Sequence, residues 1–423
     1  MEYIKDMPLT WRHIWIVFVA SLGQLIGTGV ATLAGVIIPM INIIRRPELS
    51  SVLQGLIGAS DLLGIMVGSV VLGRLSDRFG YIFFFRLCPI LMLIGSVVGA
   101  LVPDVTVLII CLFVIGVGIG GEYSLDSGYI SELLPVKYRS LMIGCAKAGS
   151  AFGNVIVALV CYMLIVKWDN AAMWPALMWI IAFISVVMII CRIWFYQSPQ
   201  WLLNHGRTSE AEHATKEFLG GNVEILPVKD SDPPSEESSG LISFIKKNFS
   251  KVVLSGVPWA CEGLGVYGIG VFLPILVMAL GIGHDDPAAP AVMHVAYSVK
   301  ITFYISCIIL PGFIAGLILI HRRCYIPRIQ VVGFWICAVS LVVLLVAFHF
   351  HWSKWISIGA FMSFELFLNM GPHLVTYVLP PMVYKPEDRG QGSGLAASIG
   401  KFGAVAGVFI IPVLLHWGGP LLT

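Results

Sequence analysis

The stretch GVGIGGEYSLDSGYISE, Gly116 to Glu132, sets three carboxylates, Glu122, Asp126 and Glu132, in a run otherwise apolar enough for a lipid bilayer. An ionised side chain at the bilayer centre costs about 2.5–3.5 kcal/mol or more, so such residues pair, line water-filled paths or bind protons. Asp61, Lys147, Glu262, Lys300, Glu365, His373 and Lys401 pose the same problem elsewhere in the chain. The chemistry open to this set is proton exchange, ion pairing and capture of a small charged solute. Enzymatic chemistry finds no support: an HExxH motif, a nucleophile elbow and a phosphate loop are all missing. The nine cysteines form no CxxC pair and read as small buried hydrophobes, so neither a metal nor a cofactor is expected.

These side chains must be held by membrane-spanning helices. Of 423 residues, 58% are hydrophobic and 12% charged, against about 25% charged in a typical soluble chain. Apolar stretches of the ~20 residues needed to span hydrocarbon recur almost end to end. The fold class is therefore an all-α polytopic membrane protein. Spans fall near 13–42, 51–74, 82–102, 106–133, 140–166 and 173–196, then near 252–280, 291–320, 328–349, 354–380 and 390–415. That divides the chain into an N-terminal bundle (1–196), a polar linker (197–250) and a C-terminal bundle (251–423).

The linker holds an amphipathic helix, RTSEAEHATKEFL, and a flexible-looking run, VKDSDPPSEESSG. Most of the 26 Lys and Arg residues fall on one side of the arrangement, which puts the N-terminus in the cytoplasm. Six spans followed by five lead us to expect a twelfth beyond Thr423. No basic stripe suits nucleic acid. The expected setting is a monomer in a bilayer, a multi-pass protein of a bacterial inner membrane.

The two bundles look related. ELLPVKYRSLMIGCAKAGSAFG leads into span five and LPPMVYKPEDRGQGSGLAASIGKFGA into span eleven. Each passes a polar turn, an Arg (Arg139, Arg389) and, fourteen positions on, a Gly (Gly153, Gly403). Repeated halves around a central cavity are a recurring transporter design.

Several stretches carry a resemblance to a known superfamily. GRLSDRFGY, Gly73 to Tyr81, joins spans two and three and fits G-x-L-x-D-R-x-G-R except at Tyr81. The G-x-G-x-G-G-[DE] run ending at Glu122, SPQWLL after span six, and PGFIAGLILIHRR in span eight match as well. So do GPHLVTYVLPP and GLAASIGKFGA in spans ten and eleven. Over essentially its whole length the chain resembles the major facilitator superfamily, and within it the proton-coupled phosphate, sugar and organic-acid symporters. The resemblance implies two pseudo-symmetric six-helix halves working by alternating access.

Carried over position by position, the resemblance assigns proton coupling to Glu122. It assigns substrate contacts to Tyr123, Ser150 (where the phosphate symporters have Gln), Trp259, Tyr267, His373 (in place of Asn) and Lys401. Their span-seven Asp falls on Gly263, leaving the adjacent Glu262 as a substitute if that helix is rotated or unwound. Their first-span acid is missing, and only Gln24 stands near it. Gly73, Asp77, Arg78, Arg139 and Arg389 would form a cytoplasmic latch. Asp61, foreign to the family pattern, is a further protonation candidate.

Depth along the helices suggests partners. At about 1.5 Å per residue, Asp126 and Lys147 lie at similar depth, and a neutralising Asp126–Lys147 pair is expected. Glu122 is then the acid left to exchange protons, unless a basic neighbour holds it. A carboxyl shielded from water keeps its proton more readily, which is the property coupling needs. Lys401 has Glu365 as an alternative partner, Lys300 has Glu262, and Glu132 has Arg139 or Arg389. The expected activity is secondary transport of a small anionic metabolite with proton symport. The alternatives are a facilitator or exchanger of a neutral solute such as a sugar, and a transporter-like sensor.

Overall fold

The computed structural model describes residues 9–135, 137–219, 241–279, 290–350, 352–385 and 388–418, and their regular structure is helical. The first half comprises α1 (Trp11–Ile44), α2 (Ser51–Phe79), α3 (Tyr81–Leu101), α4 (Val105–Leu133) and α5 (Arg139–Trp168). A 3-10 segment (Ala171–Met178) then leads into α6 (Trp179–Cys191). Short helices α7 (Pro199–Asn204), α8 (Thr208–Leu219) and α9 (Leu241–Lys247) follow on one end of the bundle, called here the linker side. The second half comprises α10 (Phe249–Ala279), α11 (Ala291–His321), α12 (Ile326–His349), α13 (Lys354–Met370), α14 (Pro372–Val378), α15 (Pro380–Val383) and α16 (Arg389–Gly418).

Among the described residues, ten helices are long and apolar enough to cross a membrane. The span expected at 354–380 is instead a broken passage, α13–α14–α15. Gly371 (φ −116°, ψ −87°) and Pro372, the first residue of α14, interrupt it, because proline has no N–H to continue the ladder. Span six ends at Cys191 rather than at 196, a shortening that matters below. The expected linker helix is α8, whose Ala211 and Ala214 pack on Leu202 of α7. The run VKDSDPPSEESSG lies outside the described residues.

Polar caps set the helix ends. Asp104 accepts from the N–H groups of Thr106 (2.8 Å) and Val107 (3.0 Å) at the start of α4, and those bonds hold its exposed carboxyl below the usual carboxylate range. Gly80 joins α2 to α3 at φ +91°, where a Cβ would be strained and would run into the Gln197 side chain. The Gln197 amide oxygen accepts from the N–H groups of Tyr81 (3.0 Å) and Ile82 (3.3 Å).

Small residues bring the helices into backbone contact, as transmembrane packing requires. Gly64 and Gly68 of α2 face Gly116 and Gly120 of α4 so closely that a Cβ at any of them would strike the opposing backbone. The internal repeat is realised in space. Gly153 of α5 lies on the Leu25 backbone of α1, and Gly403 of α16 lies on the Ala260 backbone of α10. Across the two halves α2 packs along α16 and α5 along α11. The outward faces carry Phe183, Trp335 and Val342, all exposed, while charges lie inside. That inversion suits a hydrocarbon solvent.

Candidate functional site

On the linker side, α2, α4 and α16 meet. Asp77 Oδ2 accepts from the Gln391 N–H (2.8 Å) in the first turn of α16, where the helix dipole favours a negative charge. Gly390 leaves room for the carboxylate, and Gly73 lies against the Gly390 carbonyl. Trp201 Nε1 donates to the Asp77 carbonyl (2.9 Å). Nearby, Glu132 accepts from Tyr81 OH (2.8 Å) and Ser198 Oγ (2.5 Å), with Arg389 and Arg139 within electrostatic reach. Arg139 donates to the Leu134 carbonyl (3.5 Å). Arg78 points outward over the Phe79 ring, away from the contact. The five expected latch residues thus share one end of the bundle, and four of them face the junction.

Inside the first half, Glu122 is not free. Arg192, the residue that caps α6, turns inward and is 1% exposed. Its Nη1 donates to Glu122 Oε1 (2.6 Å) and to the Phe85 carbonyl (3.0 Å), and its Nη2 donates to Glu122 Oε2. The guanidinium also stacks over the Phe85 ring at 4.9 Å. Asp126 Oδ1 lies 3.7 Å from Arg192 Nη2. The expected Asp126–Lys147 pair is therefore not formed, since a nearer cation has taken the acid. Lys147 instead donates to Gln24 Oε1 (3.5 Å), and Gln24 Nε2 donates to Tyr377 OH (3.2 Å). Depth alone matched Asp126 to Lys147; the direction in which each side chain leaves its helix separates them.

At the centre, four aromatic residues from three helices surround two lysines. Tyr123 (α4), Trp259 and Tyr267 (α10) and Tyr377 (α14) lie edge to face or hydroxyl to hydroxyl; Tyr123 OH and Tyr267 OH are 3.3 Å apart. Lys401 Nζ sits 3.6 Å from the Tyr267 ring centroid and 5.0 Å from that of Tyr123. Lys147 Nζ lies 5.1 Å from the Tyr123 centroid and 5.6 Å from that of Tyr377. Such cation–π contacts are worth ~2 kcal/mol when desolvated. Neither lysine forms an ion pair among the described residues, so the expected Lys401–Glu365 alternative is not made either.

Glu262 is fully buried and bonded through Oε1 to His373 Nδ1, while His373 Nε2 lies 3.5 Å from Ser150 Oγ. Lys300 packs by the rings of Tyr162 and Tyr297 rather than on Glu262. The neighbouring Gly263 faces the Gly400 carbonyl, so on α10 the acid is one residue away from the position the resemblance suggested. The break before Pro372 places His373 in the first turn of α14.

A cavity of about 50 Å³ opens from this centre away from the linker side, lined among others by Thr28, Asn154, Tyr267, Ser306, Glu365 and His373. It would hold a few waters. Asp61 stands apart: it is fully buried and neither carboxylate oxygen has a hydrogen-bond partner among the described residues. Among the described residues of the bundle centre, five buried carboxylates (Asp61, Glu122, Asp126, Glu262, Glu365) face two lysines and an arginine (Lys147, Lys401, Arg192), with His373 bonded to Glu262. No group of His, Cys, Asp and Glu among the described residues could hold a metal ion. Arg192 was missed from sequence, and Gln24 was noted only as the residue near the absent first-span acid. An arginine close to the expected end of span six reads as a flanking charge, and an uncharged glutamine gives no sign of which residues it bridges.

Two repeated helical halves, glycine-packed and closed around buried charges at mid-depth, make this a polytopic membrane transporter of the major facilitator fold. The solved proton:xylose symporter XylE of E. coli, bound to 6-bromo-6-deoxy-D-glucose, superposes with a TM-score of 0.76 at 18% identity, covering 96% of this chain and 90% of that one. The profile of the sugar (and other) transporter family matches residues 20–420, and the chain belongs to that family. Its relatives include the inner membrane metabolite transport protein YgcS of Escherichia coli K12, 24% identical over 98% of this chain and 88% of that one. The niacin transporter NiaP of Acinetobacter baylyi is 25% identical over 96% of this chain and 88% of its own length.

Proposed function

We propose that the protein moves a small anionic metabolite across the membrane by alternating access, in symport with protons. The observation that carries this reading is the pair of buried lysines, Lys147 and Lys401, turned toward one aromatic cage without an ion-pair partner. An ammonium held on ring faces is available to a carboxylate or phosphate arriving from the cavity. Tyr123, Tyr267, Trp259, Ser150 and His373 complete the contact surface. By the distribution of Lys and Arg the linker side is cytoplasmic, so Gly73, Asp77, Arg139 and Arg389 form the cytoplasmic closure between bundles 1–196 and 251–423.

The surplus of buried acid over base supports proton coupling, because uncompensated charge in a bilayer is costly and protons remove it. Of the three candidate acids, Glu122 is engaged by Arg192 and Glu262 by His373, whereas Asp61 is engaged by neither. One observation favours a second reading. The cavity wall offers hydroxyls and amides, Thr28, Thr32, Asn154, Ser306 and Asn369, which suit a neutral polyhydroxylated solute, and the structural relative is named for xylose.

Uptake into proteoliposomes under an imposed pH gradient separates the two. The screen should cover carboxylates, phosphate, sugar phosphates and sugars, with Lys401→Ala alongside. Gradient-driven anion uptake with a raised KM in Lys401→Ala is expected. Sugar flux indifferent to pH and to Lys401 would select the neutral-solute facilitator.

A further inference from the structure

Asp61 lies mid-way along α2, where the Gly116 Cα of α4 rests on its backbone. Its carboxylate is fully buried, and both oxygens lack a hydrogen-bond donor among the described residues. A buried carboxylate left so is expensive as an anion unless a cation stands near.

The groups facing it can be named helix by helix. From α4 comes the Tyr123 phenol, and from α10 come the Tyr267 phenol and, beyond it, Glu262. From α16 comes Lys401, the one cation within electrostatic reach of it among the described residues. The titratable groups of α3 lie elsewhere: Tyr81 bonds Glu132, Arg86 is exposed, and Cys88 faces Gly121. On α1 the titratable side chains, Arg12 and His13, sit at the far end of the helix. Asp61 belongs to the first half and Lys401 to the second, and α2 and α16 pack along each other across that boundary.

We propose that Asp61 and Lys401 form a proton-gated charge clamp between the two halves. With Asp61 ionised, Lys401 is drawn toward α2 and the α2–α16 seam is held shut by opposite charges. With Asp61 protonated, that attraction is gone, Lys401 answers only to the cage and to Glu262, and it is released to a substrate anion. The proton and the anion thus meet through one lysine. This rests on the symport reading and deepens it by naming the coupling acid as Asp61, on the inter-half seam, in preference to Glu122.

The test needs no substrate, so it is separable from the transport assay. Infrared difference spectra of the full chain in lipid nanodiscs, taken between alkaline and mildly acidic pH, report carboxyl protonation directly. A protonated-carboxyl band is expected that disappears in Asp61→Asn and persists, displaced in frequency, in Asp61→Glu. In Lys401→Gln the band should already be present at alkaline pH, and in Lys401→Arg it should behave as in the parent. The Glu and Arg variants keep the test readable if the neutral ones fold poorly. A band untouched by Asp61→Asn, or a Lys401→Gln spectrum identical to that of the parent, overturns the clamp. Proton-driven uptake that fails in the parent while the band behaves as described would overturn the symport reading alone.

Discussion

Arg192 grips Glu122 with both terminal nitrogens, and it does so from the last residue before α6 unravels. The contact ties α6 to α4 inside the first half, and the Phe85 carbonyl and ring add α3 to the same guanidinium. Glu122 is thereby a strut of the N-terminal bundle. Its neighbour Tyr123, about 100° round the helix, is the one that reaches the central cage.

Breaking that strut from one side should be severe. Arg192→Met leaves Glu122 and Asp126 buried without their cation, a loss of about 3–5 kcal/mol, whereas Glu122→Gln leaves Arg192 to Asp126 alone and should cost less. The double variant Arg192→Met/Glu122→Gln should recover much of it. Thermal unfolding in detergent, followed by tryptophan fluorescence, reads this directly. Simple additivity of the two losses would show that the contact contributes little.

Lys401 should matter to substrate binding more than to folding. Loss of a charge-assisted contact of about 1.5–3 kcal/mol corresponds to a KM raised roughly 10- to 100-fold in Lys401→Ala. Lys147→Ala should have a smaller effect, since that ammonium also serves Gln24. Equal KM values in the parent and both variants would remove the lysines from the site.

The Asp77 contact with α16 should hold the linker side closed. In Asp77→Ala the Gln391 N–H loses its acceptor, a cost of about 0.5–2 kcal/mol by analogy with helix caps. Spin labels at the exposed positions 78 and 249 should then report a broader, longer distance distribution. An unchanged distribution would mean that the glycine contacts alone keep that end shut.

Two glycines should behave oppositely. Gly116→Ala puts a methyl into the Asp61 backbone, which cannot rotate away, so a loss of about 1–3 kcal/mol is expected. Gly359→Ala in α13 meets nothing within 4 Å and should be neutral or gain about 0.5–1 kcal/mol from helix propensity. Melting temperatures of the two variants, compared side by side, decide it.

How much was legible in the chain depended on whether a pattern ran along a helix or across to another. Spans, the linker helix and the glycine-rich face of α4 follow from local composition and periodicity, and the helices observed agree with them except at the broken span ten and the shortened end of span six. Partners do not follow, because depth is readable from residue counts while the direction of a side chain depends on how each helix is rotated in its packing. Asp126 and Lys147 share a depth but not a direction. Arg192 was hidden for a related reason: span six was expected to run to 196, and a basic residue near the end of a span reads as a membrane-edge charge whichever way it turns. The Glu262–His373 bond joins positions 111 residues apart, one of them set by the break in span ten.

That break has a mechanical consequence. A continuous helix resists bending because every turn shares backbone bonds with the next. At Gly371–Pro372 the ladder lacks the bond that the Pro372 nitrogen would have given to the Leu368 carbonyl. There α13 and α14 are two rods on a compliant joint, one residue before His373. The outer rod, α13, can tilt while α14 stays wedged by His373 against Glu262. A motion that opens the cavity need not disturb the residues at its floor.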